Sequence, residues 1–162
     1  MSMVCRKLLG IYLNDHLGGS AAGLALVRRC LRANRGTELG SFLEGLAREI
    51  EEDRHTLIRL MVRLDFKRSA AKQVAGLVAE RVGRLKLNGR LTGYSDLSRL
   101  LELEGLTIGV RGKHALWENL RTAGIQEHVP EIELDRLVER AESQLSGLER
   151  HRLGAAVTAL RN

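Results

Sequence analysis

The stretch ANRGTEL, residues 33–39, decides how the first part of the chain folds. Apolar residues recur at helical spacing on both sides of it, which predicts one helix over about 4–33 and another over about 38–64. Gly36 can adopt the left-handed conformation that ends a helix, and Thr37 is a residue type that caps the start of the next one. Because so few residues join the two helices, we expect an antiparallel hairpin.

The second half of the chain repeats this arrangement. Ser95 can cap a helix that Gly124 ends, and Pro130 suits the first turn of a last helix that extends almost to the end of the chain. Between the two pairs lies a middle segment, residues 65–94, whose own pattern predicts a shorter helix over about 70–86. This segment is long enough to return along the bundle, which predicts two antiparallel hairpins joined by one long crossover. An up-and-down bundle of five helices is the alternative.

The composition favours a single all-α domain over residues 1–162. Hydrophobic residues make up 44% of the chain, but only one tryptophan, two tyrosines and two phenylalanines are present, and there is one proline. Such a core consists of aliphatic side chains, which suits packing of helix on helix. Cys5 and Cys30 lack metal-ligand spacing and are interpreted as reduced thiols of a cytoplasmic protein. No apolar run is long enough to span a membrane, and no motif identifies a small-molecule substrate.

The stretch LNDHLGGS, residues 13–20, resembles the opening of the first helix in ferritin-like proteins. In that family, Leu-Asn-x-x-Leu is followed three residues later by a metal-binding glutamate. Ser20 occupies the position of that glutamate here. The resemblance implies a ferritin-like four-helix bundle, in which the crossover carries the fifth, shorter helix and iron or manganese would be the cofactor.

The stretch EIEEDRHTL, residues 49–57, contains Glu52-x-x-His55, the pairing with which such bundles hold iron or manganese. Winding this helix at about 100° per residue places the pair away from its apolar stripe. Glu49 and Asp53 fall inside the stripe instead. The sequence therefore predicts that Glu49 and Asp53 face the core, and that Glu52 and His55 face solvent.

The same procedure on all four long helices gives a set of polar residues directed inward: His16, Ser20, Glu49, Asp53, Glu104, Gln144 and Arg152. Buried charges are tolerated when they are paired and hydrogen-bonded. The favoured interpretation is a metal-free network without a cofactor, with Arg152 as the counterpart of Glu49 and Asp53. The alternative is an iron or manganese site, in an oxidase or a metal-storage bundle, with the ligands His16, Glu49, Asp53 and Glu104.

Positive charge is concentrated in the middle of the chain. Residues 65–90 carry a net charge of +5 out of +6 for the whole chain. The densest part predicts a small anion site formed by Arg81, Arg84, Lys86 and Arg90. Binding of phosphates or nucleic acid is one hypothesis, as in the DNA-protecting mini-ferritins that the predicted architecture resembles. A solvated basic face is the simpler alternative.

The third long helix is apolar on two sides, one of them formed by Leu97, Leu101, Ile108 and Ala115. A helix of this kind needs two sets of neighbours. The extra side predicts contact with the crossover helix or with a second copy of the chain in a homodimer. Together these patterns favour a non-catalytic structural or interaction protein.

Overall fold

The computed structural model describes residues 3–67 and 94–161. These residues form four long α-helices: α1 (Met3–Ala33), α2 (Glu38–Arg63), α3 (Asp96–Thr122) and α4 (Leu134–Arg161). No β-strand occurs among them. The predicted all-α class is therefore confirmed. The predicted helix over 70–86 lies outside the described residues.

The ends of the helices follow from local chemistry at two predicted caps. The side chain of Thr37 accepts a 3.0 Å hydrogen bond from the amide of Gly40 at the start of α2. The side chain of Ser95 accepts a 3.1 Å hydrogen bond from the amide of Ser98 at the start of α3. Gly36 has a φ of 78° in the turn between α1 and α2, as the sequence predicts. Each cap satisfies an amide that the helix itself leaves without an acceptor.

The start of α4 differs from the prediction, because the helix begins at Leu134 and not near Pro130. After α3 the chain forms a single 3₁₀ turn, Ile125–His128, and then buries Val129 and Ile132. The side-chain oxygen of Gln126 accepts a 3.1 Å hydrogen bond from the amide of Leu134. The start of α4 is therefore set by a cap from eight residues earlier in the chain and by the burial of Val129 and Ile132.

Each pair of packed helices is antiparallel. Arg29 near the end of α1 forms an ion pair with Glu102 near the start of α3, whereas Tyr12 near the start of α1 contacts Asn119 near the end of α3. Similar pairs relate α3 to α4 and α2 to α4. Since α1 is antiparallel to both α2 and α3, the latter two run in the same direction. The end of α2 and the start of α3 therefore lie at opposite ends of the bundle.

The core of the described residues is divided into two apolar clusters along the bundle axis. The first cluster lies at the end that holds the start of α1 and the end of α3, and it includes Leu13, Leu17, Leu57, Leu60, Leu116, Trp117, Leu120, Val129, Leu134 and Val138. The second cluster lies at the other end and includes Leu26, Val27, Leu43, Leu46, Ile50, Leu103, Leu106, Val110, Ala141 and Leu148. None of the helices described in residues 3–67 and 94–161 combines the length and the apolar composition needed to cross a bilayer.

Candidate functional site

A layer of polar side chains lies between the two apolar clusters. On α2 the layer contains Asp53, on α3 Lys113 and on α4 Arg140, each between the last residue of one cluster and the first residue of the other. Glu49 and Gln144 lie next to them and complete the network. We call these five residues the polar layer.

The polar layer is held together by a continuous chain of contacts. The ammonium group of Lys113 donates hydrogen bonds to Oδ2 of Asp53 and to Oε1 of Gln144. The amide of Gln144 donates a 2.7 Å hydrogen bond to Oε2 of Glu49. The guanidinium of Arg140 lies 2.7 Å from Oδ1 of Asp53. Both oxygens of Asp53 therefore face a cation.

Burial makes these pairings necessary. The side chain of Asp53 is 3% exposed and that of Lys113 is 15% exposed. Burial lowers the pKa of Lys113, and the carboxylate of Asp53 opposes that shift. A buried ion without a partner costs several kcal/mol. With two carboxylates and two basic groups, the polar layer is formally neutral. Asp53 is paired with both cations, and Glu49 accepts its hydrogen bond from the neutral amide of Gln144.

Three of the seven residues predicted to face inward belong to the polar layer: Glu49, Asp53 and Gln144. His16 and Ser20 lie on α1 at the same level along the bundle, where they line a cleft between α1, α2 and α3. The hydroxyl of Ser20 donates a 2.7 Å hydrogen bond to the carbonyl of Leu17 on its own helix. Burial lowers the pKa of His16, and the charge of Asp15 opposes this.

The expectation that Arg152 is the counterpart of Glu49 and Asp53 is wrong. Arg152 forms two hydrogen bonds with Glu149 on its own helix, at 2.9 and 2.6 Å. Because Arg152 follows Gln144 by eight residues, it lies about 12 Å further along α4. Glu104 is half-buried, and its charge adds to the raised pKa of Arg152 after the larger effect of Glu149. The cations that serve Asp53 are Lys113 and Arg140.

The Glu52-x-x-His55 motif lies outside the core. Both side chains are exposed, as the helical phase predicts. Glu52 accepts a 2.8 Å hydrogen bond from Arg140 at the surface. This contact extends the polar layer to solvent, since the same guanidinium also pairs with the buried Asp53.

The structure does not bring together the alternative metal ligands His16, Glu49, Asp53 and Glu104. In the part of the chain that the structure describes, no group of three or more histidine, cysteine, aspartate or glutamate side chains is arranged to hold a metal ion. The donors around Asp53 also do not fit a cation, because Lys113 and Arg140 already face its two oxygens. An ammonium and a guanidinium repel a metal ion and offer it no lone pair.

Lys113 and Arg140 are the members of the polar layer that the sequence analysis missed. A signal for Lys113 exists in its spacing. On α3 the buried residues recur in steps of three and four, and Lys113 continues this series between Val110 and Trp117. The spacing of apolar residues along a helix that packs against others therefore marks Lys113 as inward-facing.

A second polar cluster was also missed, at the end of the bundle where α1 ends and α3 begins. Glu102 is fully buried, and its carboxylate lies 2.7 Å from Nε of Arg29. The hydroxyl of Tyr94 donates a 3.0 Å hydrogen bond to Glu102 and accepts one of 2.9 Å from Asn34. Burial raises the pKa of the neighbouring Cys30 thiol to about 12, with a further contribution from the charge of Glu102. This cluster fixes α1 against α3.

The predicted anion site, Arg81, Arg84, Lys86 and Arg90, lies outside the described residues and stays a prediction. Comparison with protein-family models, with characterised proteins and with solved structures finds no match for this chain. The functional argument therefore rests on the arrangement of the chain's own residues.

Proposed function

We propose that this chain is a ferritin-like helical bundle whose central metal position is replaced by internal cations, and that it acts as a non-catalytic structural or interaction protein of the cytoplasm. The observation that carries the proposal is the contact of Lys113 with Asp53 and Gln144 in the polar layer. In ferritin-like di-metal proteins, carboxylates from facing helices converge inside the bundle on the metal ions. Here an ammonium group lies among the inward carboxylates instead.

The direction of the helices supports the same proposal. Two antiparallel hairpins with one long crossover are the ferritin-like connectivity. That connectivity requires α2 and α3 to run in the same direction, as they do in this bundle. The polar layer lies between the two apolar clusters, in the region where such bundles place their metal ligands.

The interaction role rests on the outer side of α3. Ile108 is 73% exposed and Ala115 is also exposed, whereas Leu97 and Leu101 are half-buried. Ile108 and Ala115 lie two turns apart on one side of the helix, and a second copy of the chain would cover both. We propose a homodimer formed through this side.

Metal-dependent stability tests the replacement of the metal. A ligand that binds only the folded state raises the free energy of unfolding in proportion to its affinity and concentration. Thermal unfolding is therefore measured with EDTA, with added Mn²⁺ and with Fe²⁺ under anaerobic conditions. The proposal predicts the same midpoint in all three. A rise with either metal that disappears in Asp53→Asn would overturn it.

A further inference from the structure

The cleft between α1, α2 and α3 has a volume of about 480 Å³. Its two long walls carry glycines: Gly19 and Gly23 on α1, and Gly109 and Gly112 on α3. A Cβ atom added at any of the four would meet nothing within 4 Å. Glycine inside a helix is about 1 kcal/mol less favourable than alanine. These glycines therefore make the helices less stable than alanine would, and they leave open space in the cleft.

The inner wall of the cleft is apolar with a few polar groups. The apolar side chains that line it are Ile50, Leu57, Leu106, Val110 and Leu116. A volume and lining of this kind are typical of small-molecule sites, in which a few polar groups set the orientation of an apolar ligand.

Trp117 belongs to this wall and carries an unsatisfied donor. Its side chain lines the cleft and is 1% exposed, and its indole N–H has no acceptor among the described residues. Buried tryptophan N–H groups usually find a partner, because leaving a buried donor unpaired costs about 1–3 kcal/mol. The N–H is not accessible from the cleft, so it is not a contact for a ligand bound there.

Lys113 supplies the donor that a ligand in the cleft can reach. Its ammonium group has three N–H bonds, and Asp53 and Gln144 accept two of them. Lys113 also lines the cleft. A third N–H is therefore left for an acceptor, on the same helix as Trp117 and four residues before it, which places both residues on one face.

We propose that this cleft binds a small apolar molecule that carries one acceptor oxygen, a carbonyl or a carboxylate. The apolar body packs between the glycine walls and against the leucines. The oxygen accepts a hydrogen bond from the ammonium of Lys113. Two carboxylates and two basic groups line the cleft, Asp15, Asp53, Arg54 and Lys113, so the site does not require a charged ligand. A cation next to the ammonium of Lys113 is disfavoured.

The chain provides its own reporter for a binding test. Trp117 is the single tryptophan, so its fluorescence reports directly on the wall of the cleft. Three probes of equal chain length are titrated below their micelle concentrations: decanoate, 2-decanone and decyltrimethylammonium. We expect a saturable change in emission, with one probe per chain, for the two that carry an acceptor oxygen. No saturable change with decanoate or 2-decanone would overturn the proposal, and so would equal binding of the cationic probe.

Variants that fill the cleft, compared with a control variant outside it, test the same proposal. Gly23→Leu and Gly112→Leu place a side chain in the open space of either wall, and each should weaken binding by about tenfold or more. Gly154→Leu is the control, because Gly154 is exposed on α4, lies outside the cleft and has equally open space above it. Leucine also favours a helix more than glycine does, so the variants should unfold no more easily than the parent protein. Unchanged binding in both cleft variants would overturn the proposal.

A second copy of the chain is the competing occupant. Light scattering of the parent protein and of Gly112→Leu, with and without decanoate, distinguishes the two. A dimer that dissociates when Gly112 is replaced, together with no response to any probe, would assign the cleft to a protein interface. Ile108, on which the proposed homodimer rests, also lines the cleft, so a dimer partner and a ligand compete for this side of α3. The metal-dependent melting described above reads none of these outcomes, so the replacement of the metal and the binding of a ligand are tested independently.

Discussion

The ammonium group of Lys113 donates a hydrogen bond to Oδ2 of Asp53 at the boundary between the two apolar clusters. The pair joins α3 to α2. These two helices run in the same direction and do not pack side by side in the bundle. A specific polar contact in such a place fixes the register of the helices, because one charge finds its partner at only one level. Arg140 adds α4 to the same contact.

Removing one partner of this pair should destabilise the fold strongly. In Asp53→Ala, Lys113 stays buried without its carboxylate and Arg140 keeps only the exposed Glu52. We expect a loss of about 3–5 kcal/mol in the free energy of unfolding, measured by urea denaturation. Replacing both partners by apolar side chains, in Asp53→Leu with Lys113→Met, should restore most of that loss.

The control for this prediction is a surface pair of the same type. Glu51 accepts a 2.8 Å hydrogen bond from Arg28, and both side chains are about half-exposed. Glu51→Ala should cost no more than about 1 kcal/mol. If Asp53→Ala cost no more than Glu51→Ala, the polar layer would not be a buried ion-pair network.

The hydroxyl of Tyr94 should contribute measurably to stability. In Tyr94→Phe, the fully buried Glu102 loses one of its partners, and Asn34 loses an acceptor. We expect the free energy of unfolding to fall by about 1–3 kcal/mol. The chain offers a matched control in Tyr12→Phe, since that hydroxyl accepts only an exposed hydrogen bond from Asn119 and its removal should cost about 0.5 kcal/mol or less. Equal losses in the two variants would contradict the role of the second polar cluster.

The two cysteines should differ in reactivity. Cys5 is exposed, whereas Cys30 is fully buried and its pKa is raised to about 12. Because the thiolate is the reactive form, a thiol reagent at neutral pH should modify one cysteine in the folded chain and both in urea. Reaction of both thiols at one rate in the folded chain would contradict the burial of Cys30.

The same thiol predicts a dependence of stability on pH. The folded pKa of Cys30 lies above its usual value of 9.0, so the unfolded chain loses this proton first. The folded state then binds more protons than the unfolded state, and the free energy of unfolding falls as the pH rises between about 9 and 12. Below that range the thiol contributes no slope. Subtracting the pH profile of Cys30→Ala from that of the parent protein isolates the effect, and a difference that stays flat or rises would contradict it.

The proposed dimer makes a separate prediction. Ile108→Lys places a charge in the apolar contact on α3 and should convert a dimer to a monomer in size-exclusion chromatography with light scattering. Val62→Lys is the control, because Val62 is 60% exposed on α2 and does not line the cleft that Ile108 lines. A parent protein that is monomeric at high concentration would remove the proposal, and so would a dimer that survives Ile108→Lys.

The helix ends that could be predicted are those set by neighbouring residues. Thr37 and Ser95 cap their helices through amides three residues ahead, and Gly36 needs only its own left-handed conformation. The start of α4 could not be predicted in this way. It depends on Gln126, which caps from eight residues away, and on burial of Ile132 in a core that the local sequence does not reveal.

The sequence predicted which side of its helix a site residue occupies, but not its height along the bundle axis. The helical phase gives the angle of a side chain around its helix, which correctly placed Asp53 and Gln144 in the core. Phase does not give the height at which two helices meet. Arg152 was therefore assigned to carboxylates that lie about 12 Å or more away along the axis. Lys113 was missed because a lysine is usually exposed, although its spacing on α3 was that of a core residue.

The absence of a bound metal in the polar layer is the central claim, and elemental analysis tests it most directly. The protein is expressed in medium supplemented with iron and manganese, purified without a chelator, and compared with Glu49→Gln and Asp53→Asn. We predict no stoichiometric metal in any of the three, because Lys113 and Arg140 already occupy the oxygens of Asp53. Stoichiometric iron or manganese in the parent protein that is lost in both variants would contradict the account.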